Sequence, residues 1–339
     1  MSRYVLVGKQ TEVGTMDPSQ KDDTFISFPI KAKHGTQIAP TSHSTLVKTR
    51  EGAYEVMGTL EGTIEPEGIF PILLDNVFMG VPTHAQQGET AAWLHTWDDD
   101  DVGSTLDFLT LFREEDLTAR KIDAGFIKKL TVNFPAPNAP LMTYRAEFEG
   151  SIDSLAALDG SYSLSPLAPF SSLDQVTTNG HQLAESGDWT DIITATLEIT
   201  NNAHWSRAQE GRFATAGRPG HVRVGGSITQ RFASTDIAKR FFDGTTGNSQ
   251  AQAGGITPFD LRLKVQQGVF AADPHYYEFY ARLFAAKWPE SDWNVVQLDD
   301  VTFVTPFISE FSDGDSLTFE IGLLNTWTDD VGTWPQIPA

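Results

Sequence analysis

The densest run of ionisable side chains is Trp97-Asp98-Asp99-Asp100-Asp101-Val102-Gly103, with a shorter echo at Trp327-Thr328-Asp329-Asp330-Val331-Gly332. Adjacent carboxylates can bind Ca²⁺, but a Ca²⁺ cage takes alternate residues around a glycine turn and a distant glutamate. This run has neither, so a solvated loop or a contact patch is expected and no metal is assigned. The eight histidines are scattered, in no metal-ligand spacing and beside no nucleophile motif. The glycine-rich "GRPGHVRVGG" lacks the lysine and the strand-to-helix setting of a phosphate loop and reads as turns. No pair of carboxylates is singled out for glycoside hydrolysis, so no catalytic residue and no cofactor is assigned.

One basic cluster stands out. "HWSRAQEGRFATAGRPGHVR" sets Arg207, Arg212, Arg218 and Arg223 in one segment of an acidic chain. It is either a solubilising surface hairpin or a long arm whose guanidinium groups reach carboxylates on a neighbouring subunit.

The formal charge is −21, and it divides evenly: residues 1–169 hold 13 Lys/Arg against 24 Asp/Glu (−11), residues 170–339 hold 11 against 21 (−10). Proteins that grip nucleic acid present a basic face to the phosphates, so tight nucleic-acid binding is not expected. Acidity fits either plain solubility or a surface that must let nucleic acid slide past. Cysteine is absent, which suits folding in a reducing compartment. Neither a signal-peptide pattern nor an apolar run of membrane-spanning length is apparent, and the expectation is a soluble protein.

These side chains must be carried by strands. In "LMTYRAEFEG", Met142, Tyr144, Ala146 and Phe148 alternate with Thr143, Arg145, Glu147 and Glu149, the pattern of a half-buried strand. "SLTFEIGLL" repeats it with Leu317, Phe319, Ile321 and Leu323 inward. A shift of 168 lays one half of the chain over the other: Gly58 on Gly226, Thr59 on Ser227, Leu60 on Ile228, Ile64 on Phe232. A helix follows in step, with Ile69 on Ile237, Leu73 on Phe241, Leu74 on Phe242 and Asp75 on Asp243. It is announced by Pro66-Glu67-Gly68 in the first copy and by the capping residues Ser234-Thr235-Asp236 in the second. At a shift of 175, Met142-Thr143-Tyr144 meets Leu317-Thr318-Phe319 as the final strand. The expectation is a mainly β chain of two tandem, similar β-barrel or sandwich domains, each with one flanking α-helix. They span residues 1–155 and 189–339, and the Ser/Pro/Gly-rich stretch 156–188 is the linker.

"GTLEGTIEPEGIFPILLDNVF", "KKLTVNF" followed by "TYRAEFEG", and "ATLEITNN" leading to "VGGSITQRFASTDIAKRFF" resemble tail tube proteins of long-tailed bacteriophages. The resemblance covers most of the chain and departs most between Val81 and Thr105. It implies a structural virion protein, made in the host cytoplasm and located in the tail, whose subunits form six-fold rings stacked into a hollow tube for genome delivery. Three two-domain chains would close a pseudo-hexameric ring. Implied partners are further copies of the chain, a tape-measure protein, terminator and tail-tip proteins, and passing viral DNA. The wet strand faces are the candidate lumen: Glu61, Thr63, Glu65, Glu147 and Glu149 in the first copy, with Thr229, Thr318 and Glu320 in the second. Arg231 would interrupt an acidic wall. The four arginines above are candidate contacts between rings, as are the 36–54 hairpin and both chain ends. The competing expectation is a carbohydrate-binding or receptor-binding protein built of two fused β-sandwiches, with Trp93, Trp97, Trp205, Trp288, Trp293 and Trp334 as sugar platforms.

Overall fold

A computed structural model of the chain describes residues 3–12, 15–16, 21–40, 47–80, 82–100, 108–115, 118–134, 141–156, 164–172, 174–181, 192–206, 216–218, 220–231, 258–287, 292–297, 300–310 and 317–327. The protein is mainly β, with antiparallel pairing throughout and one helix among the described residues.

In the first half, β1 (Arg3–Glu12) pairs with the short strands β2 (Thr15–Met16) and β3 (Lys21–Thr24) and with β8 (Leu109–Glu115), and β8 pairs with β9 (Thr118–Asn133). β9 pairs with β10 (Thr143–Gly150), β10 with β5 (Val47–Thr63), and β5 with β4 (Ile30–Pro40). β11 (Ile152–Ala156) continues β10 along β9. The strand β9 passes from one sheet layer to the other at Ala124, which takes the left-handed φ of 51°. Gln10 pins this corner by accepting the Ala124 N–H at 3.1 Å and donating to Asp123 at 3.1 Å.

The second half repeats this order. β12 (Gln175–His181) pairs with β17 (Phe259–Ala272), β17 with β18 (His275–Lys287), and the end of β18 with the C-terminal end of a long strand. That strand is β20 (Asp300–Glu310), whose other end pairs with β19 (Asp292–Gln297), so β18 and β19 together flank β20 as β9 flanks β10. β20 pairs with β16 (Val222–Arg231), β16 with β13 (Ile192–Asn201), and β21 (Phe319–Asn325) runs along β18 as β11 runs along β9. The 156–188 stretch, expected to be only a connector, supplies β12, which pairs along β17 as β1 pairs along β8. Its residues, QVTTNGH, lack the apolar alternation that announces a half-buried strand.

The final-strand alignment is corrected by the pairing. β10 lies beside β5, but among the described residues β21 is not paired with β16, and β20 holds the place of β10. Period-2 alternation marks any half-buried strand and carries no information about its neighbours.

Among the described residues two strand pairings join the halves: β9 with β13, and β21 with β7 (Trp93–Asp98), the second strand of a hairpin with β6 (Thr83–Gln86). The 81–105 departure from the repeat thus contributes a strand to the second half. Helix α1 (Phe70–Phe78) is trapped between the halves and packs on β1, β9 and β13. Phe70 meets Tyr144 and Phe279 at ring-centroid distances of 5.9 and 5.5 Å, and Phe78 stacks on Trp97 and Phe319 at 6.3 and 5.5 Å.

The sequence expectation of one apolar and one polar helix face holds for Ile69, Leu73 and Leu74, but the polar side is buried too. Lys9 forms an ion pair with Asp75, and Asn76 accepts the Ile127 N–H at 2.8 Å, so neither polar group is left without a partner in the core. The counterpart helix expected after Ser234 lies outside the described residues.

Candidate functional site

Residues directly opposite each other in antiparallel strands share a face. The β9 and β13 pairing therefore carries one solvent face unbroken from the first half to the second. One row runs Thr63, Thr143, Asn133, Thr196, Ser227, Pro306. The next runs Glu61, Arg145, Thr131, Glu198, Gly225, Ile308. A third runs Thr59, Glu147, Lys129, Thr200, Arg223. The expected alternation of β10 is present: Tyr144, Ala146 and Phe148 are buried, and Arg145 and Glu147 are exposed.

Of the candidate lumen residues, Glu61, Thr63, Glu147 and Glu149 share this face with Thr229, two residues from Ser227 on β16. Glu65 lies just past the end of β5. Thr318 and Glu320 do not join them. Thr318 precedes β21 and donates its N–H to Asp99 at 2.7 Å, while Glu320 sits on β21 and accepts a hydrogen bond from the Tyr280 hydroxyl at 2.7 Å. Burial and the Glu320 carboxylate both push the Tyr280 hydroxyl pKa up, which keeps that proton in place. With β20 in the place expected for β21, the second-half residues on the shared face are Val304, Pro306 and Ile308, and Val304 and Ile308 are exposed. The alternation in "DVTFVTPFISE" was the available signal for them.

The face is not a wall of bare carboxylates. Arg145 donates to Glu61 at 2.9 Å, Lys128 to Glu149 at 2.6 Å, and Lys129 lies 2.9 Å from Glu198. Arg145 and Glu61 are directly opposite in one row and Lys129 reaches Glu198 in the neighbouring row, and these pairs leave the face close to neutral. The acidic excess lies elsewhere.

Of the four arginines, Arg207 and Arg212 lie outside the described residues. Arg218 ends β15 (Ala216–Arg218), which pairs with β14 (His204–Ser206). Arg223 is exposed on β16, within the shared face rather than on the arm. The arm is rooted on the first half, where Trp205 stacks on Phe108 at 5.2 Å and meets Phe126 edge-on at 5.3 Å. Asn201 donates to the Val77 carbonyl at 2.8 Å and ties β13 to the end of α1. Trp97 is fully buried and offers no open ring for a sugar, and Trp205 is half-buried with one ring face covered by Phe108; Trp288 and Trp334 lie outside the described residues.

The acidic run is partly spoken for: Asp98 accepts the Asp100 N–H at 2.8 Å and Asp99 holds Thr318, while Asp101 lies outside the described residues. Among the described residues no group of three His, Asp or Glu side chains is arranged to hold a metal. One histidine is chemically unusual. His95 is buried between the halves, bonded to His84 through Nδ1 at 2.6 Å and to Asn325 Oδ1 through Nε2 at 2.9 Å, while Asn325 donates to the Pro66 carbonyl at 3.0 Å. Burial lowers its pKa to about 4, the Asn325 bond resists, and His84 lowers it further.

No protein-family model and no curated protein matches the chain. Among the described residues no helix is long and apolar enough to cross a membrane.

Proposed function

We propose that the chain is a structural, non-catalytic protein that polymerises through its sheet edges into stacked rings, forming a hollow tail tube of the kind that long-tailed phages use as a conduit for DNA. The observation that carries this reading is the junction between β9 and β13. Counting only the strands that both repeats share, β1, β4, β5, β8, β9 in the first and β12, β13, β16, β17, β18/β19 in the second, it joins the fifth strand of one repeat to the second strand of the other. By that order the corresponding strands at the two ends are β19 and β4, which pair among the described residues only with β20 and β5. Each chain thus ends in the two edges that its own centre already joins. Joining them between chains is a heterologous contact, which closes into a ring when the rotation allows and otherwise runs on as a filament.

The strand count fits a bore. Eight strands per chain, β4, β5, β10, β9, β13, β16, β20 and β19, lie in sequence across the sheet. Three chains then give about 24 strands, which at about 4.8 Å spacing make a circumference on the order of 115 Å and a backbone diameter of about 37 Å before tilt widens it. The helix and the second sheet layer occupy one face, so the shared polar face is the one assigned to the bore. In this reading the repeats are tandem tail-tube-like domains, the second beginning near Gln175. The partners are other copies, tape-measure, terminator and tail-tip proteins, and DNA that passes without being held.

Negative-stain electron microscopy with mass photometry across concentrations tests this. Hollow tubes, or rings with the mass of three chains, are expected. A persistent monomer that binds glycans would replace the reading with a sugar-binding module.

A further inference from the structure

The exposed edges carry charge in a pattern that the central junction explains. The two halves are put in register by a shared feature: Gly58 lies opposite Phe148, and Gly226 opposite Phe307. In each pair the aromatic ring fills the space over the glycine. From that anchor, Ile30 opposite Gly58 corresponds to Leu197 opposite Gly226, which makes Lys31 the counterpart of Glu198 and Lys33 that of Thr200. On the other edge, Arg145 opposite Glu61 corresponds to Val304 opposite Thr229, so Asp292, paired with Val304, is the counterpart of Thr131, and Asn294 that of Asn133.

At the central junction the second strand supplies the acid and the fifth strand the base: Glu198 lies opposite Thr131 and is held by Lys129 at 2.9 Å. At the open edges the signs are exchanged. The second strand, β4, presents Lys31 and Lys33, both exposed, and the fifth strand, β19, places Asp292 at the register position that faces Lys31 when the junction is repeated between chains.

We infer that Lys31 and Asp292 form the charge pair that selects head-to-tail joining of β4 on one chain to β19 on a second copy. Two β4 edges brought together set lysines against lysines, and two β19 edges set Asp292 against Asp292, so self-paired dimers are disfavoured. The central strands are guarded in the same way. β9 carries Lys129 and is mismatched to the lysines of β4, whereas β13 carries Glu198 and is mismatched to Asp292. Like charges across a sheet edge are a standard obstacle to wrong pairing. The alternation of sign thus protects the intrachain junction from exchange between chains while leaving the ends competent to join. This deepens the proposed ring assembly and rests on it.

The chain has no cysteine, so an engineered pair reports the contact directly. Pro29→Cys with Asn294→Cys places thiols at the positions matching Thr196 and Asn133, which face each other in the central junction. On oxidation the double-cysteine chain is expected to form covalent oligomers up to a closed trimer, while each single variant stops at dimers. Adding Lys31→Glu, or Asp292→Lys, is expected to lower the yield about tenfold, and combining both reversals to restore it. Circular dichroism confirms that each variant is folded, and the restored double reversal excludes a folding defect as the cause. Cross-linking that is absent, or that does not respond to the reversals, overturns the charge pair even if tubes are seen by microscopy. Charge-dependent cross-linking without rings or tubes keeps the edge pairing and removes the tail-tube reading.

Discussion

Gly58 and Gly226 face the same problem on the two sides of the molecule. A Cβ on Gly58 would lie 2.4 Å from Phe148 Cζ and 2.5 Å from the Pro29 carbonyl oxygen; one on Gly226 would lie 1.9 Å from the Thr196 carbonyl oxygen and 2.7 Å from Phe307 Cζ. The backbone contact at Gly226 leaves no room to yield, because Thr196 belongs to the strand paired on both sides, with β9 and with β16. Gly226→Ala is therefore expected to cost at least ~2 kcal/mol, seen as a lower midpoint in urea, with Gly58→Ala destabilising in the same sense. Conservative behaviour of Gly226→Ala would remove the register anchor. The glycine match was legible in the sequence as part of the repeat, but its reason was not, since the partner phenylalanines lie on strands far along the chain.

His95 yields a second expectation at this scale. The folded ring binds its proton less readily than an unfolded histidine, about 4 against 6.5. The unfolded chain therefore takes up more protons in that window, so stability falls as pH is lowered from about 6.5 to about 4 and has no further histidine component below it. The full difference corresponds to roughly 3 kcal/mol. Thermal midpoints at pH 7 and pH 5 check this: wild type is expected to lose more between them than His95→Gln, and equal losses would mean that His95 does not titrate in that way. Nothing in the residue spacing marked His95, because its partner Asn325 reaches it only through the pairing of β7 with β21.

At the scale of elements, α1 was legible and its surroundings were not. The apolar spacing of Ile69, Leu73 and Leu74 gives the inward face, yet the other side is covered by Trp97 on β7 and Phe319 on β21, which no local pattern announces. Phe78 is thus a bolt between the halves. Phe78→Ala is expected to cost about 3–5 kcal/mol and to loosen the β6 and β7 hairpin before the rest of the sheet, detectable as faster amide exchange there. The same limit explains the displaced candidates Thr318 and Glu320. Alternation places a residue inward or outward but not beside a given neighbour, and the exchange of β20 for β21 moved both out of the shared face.

For the whole molecule, the acidic excess is not on the shared face. The net −21 suggested a carboxylate-lined conduit, whereas the face proposed for the bore is a near-neutral surface of threonine, asparagine, serine and paired ions, with the apolar Val304 and Ile308 exposed on it. A wall without excess positive charge gives phosphate no counterion release to bind with, so sliding does not require repulsion.

In the proposed tube, assembly would separate into two contacts with different chemistry, ring closure through β4 and β19, and stacking through the arms. If the arginine arm acts along the axis, Arg212→Glu with Arg218→Glu leaves ring closure intact and blocks stacking, giving free rings of three chains; reversing Lys31 gives single chains instead. Sedimentation velocity distinguishes ring, tube and monomer in one run. Tubes of normal length from the arginine variant would assign stacking to the long hairpin of β4 and β5.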